Sequence, residues 1–309
     1  MLARLFLLLV ALAAAAPLQT AKPVLPGIEK DVAVPMRDGT ILRADVYRPS
    51  GPGPFPVLVV RTPYDKRGIK ADPYTAAGYV VVVQDARGRY ASDGKFESFL
   101  RADTHDAMDG YDTVEWAAKL PGTTGKVGTF GASYNAFLQW RLAALRPPSL
   151  VAMSAQSIPA RYPDVEGPGT IRPGRRLKWW ATTMAPDMRR RAGRPGPHTT
   201  PEALPAWDAG EGANLLHFLP WNDLPDRVFE DEAAPVREWL AHPDRDPWRL
   251  DEGCKDIAVP NLDVIGWYDH CHGDLRMFNT MRKEGKTELA RSGQRIVIGP
   301  WPHSPRGAS

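Results

Sequence analysis

Lys126-Val-Gly-Thr-Phe-Gly-Ala-Ser133-Tyr134-Asn-Ala136 puts a serine on a glycine-flanked turn between an apolar run and a stretch of helical pattern. A hydroxyl is a poor nucleophile until a base takes its proton. A strand, turn and helix in this order expose such a side chain to a histidine and to oxyanion donors. Gly131-Ala-Ser133 alone is a weak signal, and Asn135 stands where a second glycine is usual. Order strengthens it, because candidate acids and a histidine follow downstream in the succession Ser, Asp, His.

Working outward, Pro56-Val-Leu-Val-Val60 and Tyr79-Val-Val-Val-Val83 are continuous apolar runs, the pattern of central parallel strands covered on both faces. Residues 106–120 carry a helical stripe through Ala107, Tyr111, Val114, Trp116 and Ala118. Lys126 to Phe130 reads as the next strand, Ser133 to Arg146 as a helix and Leu150 to Ser154 as a strand. Two later strands end in Gly266-Trp-Tyr-Asp269 and Gly299-Pro-Trp-Pro-His303. The alternation predicts an α/β fold with a mostly parallel sheet whose active residues lie on loops at the carboxyl strand ends. Ser133, Asp269 and His303 all follow strands in that way.

Residues 158–251 break the rhythm, being rich in Pro, Gly, Trp and Arg with helical patches and no clear strand. They read as a helical cap inserted between core segments 28–157 and 252–309. Caps shape a pocket and exclude water, so Trp179, Trp180, Phe218 and Trp221 are candidate substrate-binding walls. A small core of the cap's own is the alternative for each.

With 309 residues, 43% hydrophobic and 24% charged, the chain can form one large core or two modest ones. Its start, Met1-Leu-Ala-Arg4 followed by an apolar run to Ala16, is too short to span a bilayer and fits a secretory h-region. The expectation is a cleaved signal peptide over residues 1–16 and a secreted or periplasmic protein without membrane contact after cleavage. An uncleaved anchor is the alternative. Cys254 and Cys271 are compatible with one disulfide and equally with two free thiols. A net charge of +3 implies no acidic partner, and the basic stretch from Arg172 to Arg194, around Trp179 and Trp180, reads as a solvated helical face rather than a nucleic-acid surface. Asp269-His270-Cys271-His272-Gly-Asp274 sets its ligand types on adjacent residues that point apart, so neither a metal site nor a cofactor is expected. Arg87 and Arg89, on a loop after a buried strand, are expected to pair with nearby carboxylates.

Six motifs in order resemble the cocaine-esterase and X-Pro dipeptidyl-peptidase superfamily of serine hydrolases (CocE/NonD). They are Met36-Arg-Asp-Gly39 with Ala44-Asp-Val-Tyr-Arg-Pro49; Arg61-Thr-Pro-Tyr64-Asp-Lys66; Gln84-Asp-Ala-Arg-Gly88 with Ser92-Asp-Gly94; Asp109-Gly-Tyr-Asp-Thr-Val-Glu-Trp116 leading to the Ser133 turn; and the two loops ending at Asp269 and His303. The resemblance spans about residues 28–155 and 245–303, and implies an α/β-hydrolase fold. It assigns Ser133 as nucleophile, His303 as base and then acid, and Asp269 as the carboxylate that orients the imidazolium. The physical logic agrees, since histidine titrates near neutrality and a buried carboxylate fixes its tautomer. It further implies an oxyanion hole made of the Tyr64 hydroxyl and the backbone N–H of Tyr134.

In the branch of this superfamily acting on α-amino acid esters, carboxylates just after the triad aspartate hold the substrate ammonium. Cys271 and His272 stand there, so a neutral acyl ester is the expected substrate. Ala136 replaces the glycine usual in the family's nucleophile turn. Six residues follow His303, where members continue with a closing helix and a β-jelly-roll domain, so the second core segment is expected to be C-terminally truncated. The expected function is a secreted serine hydrolase cleaving small-molecule ester bonds, or amide and X-Pro peptide bonds, through an acyl-enzyme on Ser133. The alternatives are a truncated, catalytically impaired fragment that keeps only ligand binding, and metal-dependent hydrolysis. Oligomeric state, acyl group and leaving group are not legible.

Overall fold

Val80–Asp85 (β4) is buried along its whole length, and it lies beside Phe55–Thr62 (β3) in parallel register, Val57 opposite Val80 and Thr62 opposite Asp85. The computed structural model in which this is seen describes residues 27–101, 104–166, 173–242, 244–269 and 274–303. The signal-peptide reading falls outside them. Side chains on β4 alternate as a pleated strand must: Val80 and Val82 enter one apolar cluster, Val81 and Val83 the other.

Around this pair the sheet runs β1-β2-β4-β3-β5-β6, where β1 is Gly27–Pro35, β2 Ile41–Arg48, β5 Thr123–Ala132 and β6 Leu150–Gln156. β1 and β2 pair antiparallel, as do β2 and β4, while β4, β3, β5 and β6 are mutually parallel. Leu262–Gly266 (β7) and Arg295–Gly299 (β8) form a parallel pair beside β6. A bridge from Met153 to Asn261 joins them to the sheet. The Asn261 side chain continues that seam as a peptide group would, accepting from the Ala155 N–H at 2.8 Å and donating to the Ala155 carbonyl at 3.2 Å. The result is a mostly parallel sheet of the α/β-hydrolase kind, with helices Asp106–Ala118 and Tyr134–Ala143 packed on each other and on the sheet.

β1 and β2 carry no continuous apolar run. Asp45 on β2 is buried and ion-paired at 3.8 Å with Lys66, which also reaches Asp31 and Asp85 at 2.7 and 3.2 Å. Between β6 and β7 the described residues hold helices and turns, ending with Cys254–Asp256. Trp180, Met184, Leu224 and Phe229 of this segment belong to the same apolar cluster as Val57 and Val80, so sheet and helical segment share one core. The basic stretch is a solvated face only in part, with Arg175, Arg190 and Arg191 exposed. Arg176 is 7% exposed, Arg189 pairs with Glu230 at 2.9 Å, and Arg190 pairs with Asp187 at 2.6 Å. Cys254 is a free, buried thiol whose pKa burial pushes up to about 12, which keeps it protonated and inert. Cys271 lies outside the described residues, as do His270 and His272.

Candidate active site

β5 ends at Ala132 and the next helix begins at Tyr134, so Ser133 alone makes the turn, with φ 59° and ψ −127°. Such a conformation costs a non-glycine residue of order 1–3 kcal/mol and persists only where its surroundings hold it. Here the Ser133 N–H donates to Gln156 O at 2.9 Å, and its carbonyl accepts from Ala136 and Phe137 N–H at 2.9 and 3.1 Å. Gly131 enters the turn at φ 134°, and a Cβ there would lie 2.7 Å from Asn135 Cβ. The first glycine is therefore required by the turn. Ala136 is fully buried, so its extra methyl group has been absorbed in packing.

Asp269 and His303 come from loops after β7 and β8. Main-chain bonds clamp those loops together, Trp267 N–H to Gly299 O at 2.8 Å and Tyr268 N–H to Trp301 O at 3.2 Å, and within the first loop Asp269 N–H donates to Gly266 O at 3.0 Å. Any Cβ on Gly266 would collide with the Trp301 backbone, so this glycine lets the loops approach. His303 Nδ1 lies 2.9 and 3.0 Å from the two Asp269 carboxylate oxygens. The carboxylate is buried and the imidazole half-buried. With Nδ1 so engaged, Nε2 is the nitrogen available to take a proton from a nucleophile. Behind this pair sits Asp263 on β7, unremarkable in the sequence. Burial pushes its pKa up to about 7, the charge of Asp269 adds to the rise, and the N–H groups of Ser157 and Val264 oppose it.

Ser133 and His303 line one cavity of about 310 Å³, together with Tyr64 and Tyr134. Tyr64 follows β3. The Pro63 carbonyl ahead of it accepts from Arg89 Nε at 2.9 Å, and Arg89 also donates to Met184 O at 2.9 Å, tying this loop to the helical segment. Burial raises the Tyr64 pKa, and hydrogen bonding with Ser133 and Trp179 opposes the rise, so the hydroxyl is a protonated donor near Ser133 at neutral pH. Tyr134 is the first residue of its helix, where the N–H has no intrahelical acceptor. The geometry thus brings a serine, an oriented histidine, a tyrosine hydroxyl and a helix-terminal N–H to one cavity.

Of the four aromatic walls expected, Trp179 lines this cavity; it stacks on Phe99 at 5.5 Å and stands edge-on to Tyr64 at 6.5 Å. Trp180, Phe218 and Trp221 do not line it. Trp180 is 0% exposed and packs on Phe229 in the core, Trp221 packs against that core, and Phe218 is 38% exposed at the surface. Among the described residues, Phe99, Ile158, Arg175, Arg176, Thr183 and Trp248 complete the lining. The sequence marked none of them as pocket residues, because they lie on four separated segments that only the fold assembles. A larger cavity of about 710 Å³ within the helical segment holds none of the reacting groups. Arg87 is structural, binding Asp109 through two bonds at 2.9 and 2.6 Å and Asp38 at 2.8 Å. Arg89 reaches chiefly main-chain carbonyls, with Asp187 at 3.6 Å. Among the described residues no group of side chains has metal-ligand geometry, and none is long and apolar enough as a helix to cross a membrane.

Comparison with known proteins places these features in a family. Residues 38–305 match the X-Pro dipeptidyl-peptidase (S15) family. The chain is 31% identical over 303 residues to the cocaine esterase of Rhodococcus sp. (strain MB1 Bresler), covering 90% of this chain and 49% of that protein. It therefore spans about half the length of the curated relatives it matches. A CocE/NonD family hydrolase from Staphylococcus aureus superposes with a TM-score of 0.59 at 23% identity, over 88% of this chain and 45% of that one. A Pyrococcus furiosus esterase superposes with a TM-score of 0.55 at 15% identity, over 94% and 91%. These two likenesses establish the fold, and the family match shows that the chain belongs to the X-Pro dipeptidyl-peptidase (S15) family.

Proposed function

We propose that this member of the X-Pro dipeptidyl-peptidase (S15) family is a serine hydrolase that cleaves ester or amide bonds of small acyl substrates through an acyl-enzyme on Ser133. The observation that carries the reading is His303 Nδ1 seated on both oxygens of buried Asp269, in the loop pair that opens on the cavity of Ser133. His303 takes the Ser133 proton as Oγ attacks the acyl carbon and returns it to the leaving group. The tetrahedral oxyanion is held by the Tyr64 hydroxyl and the Tyr134 N–H. Water, activated by the same imidazole, then releases the acid.

The relatives' names as esterases and the family's as a dipeptidyl-peptidase support a carboxylic-acid derivative as substrate. The expectation of a neutral acyl ester rests on Cys271 and His272, outside the described residues. We also propose export, supported by the apolar pattern of residues 1–16; finding the protein unprocessed in the cytosolic fraction of its host would refute it.

A fluorophosphonate probe tests the chemistry. The full chain should label at Ser133, lose labelling in Ser133→Ala, and hydrolyse 4-nitrophenyl acyl esters. A folded protein that neither labels nor hydrolyses any of them would sink the reading.

A further inference from the structure

The sheet that carries Ser133 and the strand pair that carries Asp269 and His303 meet along a seam of side chains. Beyond the bridge from Met153 to Asn261, no ladder pairs β6 with β7 among the described residues. Side chains take its place: Asn261 bonds to Ala155, Ser154 Oγ donates to Leu262 O at 3.1 Å, and Ser157 Oγ donates to Val264 O at 3.2 Å. Ser157 ties this seam to the site. It follows Gln156, whose carbonyl accepts the Ser133 N–H at 2.9 Å, and it precedes Ile158, which lines the cavity of Ser133 and His303. Ser157 is buried at φ 51°, a backbone conformation that a side chain resists and that persists only where neighbours hold it.

Asp263 is placed to do the holding. It is buried on β7, the N–H groups of Ser157 and Val264 hydrogen-bond to its carboxyl, and the charge of Asp269 acts on it from the loop beyond. An acceptor there fixes the strained Ser157 peptide and, through Gln156, the backbone of the nucleophile. We propose that Asp263 and Ser157 are positioning residues of the hydrolysis, which lock the backbone of Ser133 to the strand leading to Asp269 so that serine and imidazole stay in register through acylation and deacylation. Reacting groups must be kept within about 0.5 Å of their productive places, and between β6 and β7 the side chains do what a ladder would do elsewhere. This role rests on Ser133 as the acylated nucleophile.

The test counts active sites and times each one. Fluorophosphonate labelling of the full chain, carried to completion, gives the number of competent sites, and hydrolysis of 4-nitrophenyl butyrate gives kcat per site and KM. Asp263→Leu keeps the bulk and removes the acceptor. Its sites should label in nearly parental number, with kcat per site lower by about 10- to 100-fold and KM near that of the parent. Asp263→Asn, which keeps an acceptor oxygen, should bring kcat back to within about threefold of the parent. A merely structural role would give fewer labelled sites, each turning over at the parental rate, and that result overturns the inference; so does an Asp263→Asn enzyme as slow as Asp263→Leu. Should Asp263→Leu fail to fold, Ser157→Ala carries the comparison, since it loses the bond to Val264 O and keeps its N–H. Its kcat per site should fall several-fold with KM unchanged, and a parental kcat per site overturns the inference. A parent chain that neither labels nor hydrolyses the ester overturns the Ser133 reading and this inference with it.

Discussion

Tyr64→Phe removes one oxygen atom from the site and leaves its ring. That ring is half-buried, edge-on to Tyr134 at 6.3 Å and to Trp179 at 6.5 Å, and a phenylalanine keeps both contacts. What is lost is the hydroxyl's hydrogen bonding with Ser133 and Trp179, worth about 0.5–1.5 kcal/mol each before the relief of desolvation is counted. Stability should therefore fall by about 1–2 kcal/mol at most. Turnover should suffer more, because the hydroxyl is aimed at charge that develops only in the transition state. Loss of one such donor costs about 10²- to 10³-fold, equivalent to about 2.7–4 kcal/mol. An interaction of that kind lowers kcat and kcat/KM together and spares KM. Steady-state hydrolysis of a 4-nitrophenyl ester, beside a thermal melt of each protein, separates the two effects. A folded Tyr64→Phe enzyme with kcat within about threefold of the parent, or with the loss confined to KM, would refute the oxyanion assignment.

Asp263 makes stability depend on pH in a definite direction. Its carboxyl is raised to about 7 in the fold by burial, against about 3.9 in an unfolded chain. The native state therefore holds a proton that the unfolded chain sheds. This contribution is full below about pH 4 and is lost as pH rises through about 7. Melting temperature should fall across that window, and Asp263→Asn should flatten the fall; parallel curves would reject the assignment. Arg87→Met should cost about 3 kcal/mol in urea unfolding, since it strips the two bonds to buried Asp109 and leaves that carboxylate Arg61 at 3.6 Å. A loss below about 1 kcal/mol would show the pair to be dispensable.

The central strands and the serine turn were legible because their physics is local. Five apolar residues in succession demand burial on both faces, and Gly131 ahead of Ser133 allows a turn that side chains resist. β1 and β2 were not legible, because buried Asp45 interrupts the apolar pattern and its compensation by Lys66 comes from a distant loop. Trp179 and Trp180 show the same limit in adjacent residues. About 100° apart on a helix, one stacks on Phe99 at the cavity and the other is sealed against Phe229. Composition marks both alike, and only the docking of that helix on the sheet separates them. The burial of Arg176 within the basic stretch was not legible for this reason, since the Phe99 and Tyr162 rings beneath it lie elsewhere in the chain.

Residue order along the chain by itself determined the α/β alternation, the family, and the chemical types at Ser133, Asp269 and His303, because each follows a strand whose pattern is written in consecutive residues. Tertiary structure alone decided that the Asp269 and His303 loops are clamped together, that Trp179 and not Trp180 faces the cavity, and that Arg175 and Arg176 line its wall. Those outcomes depend on which surfaces meet, and contacts between segments far apart in the chain leave no periodic trace in either of them.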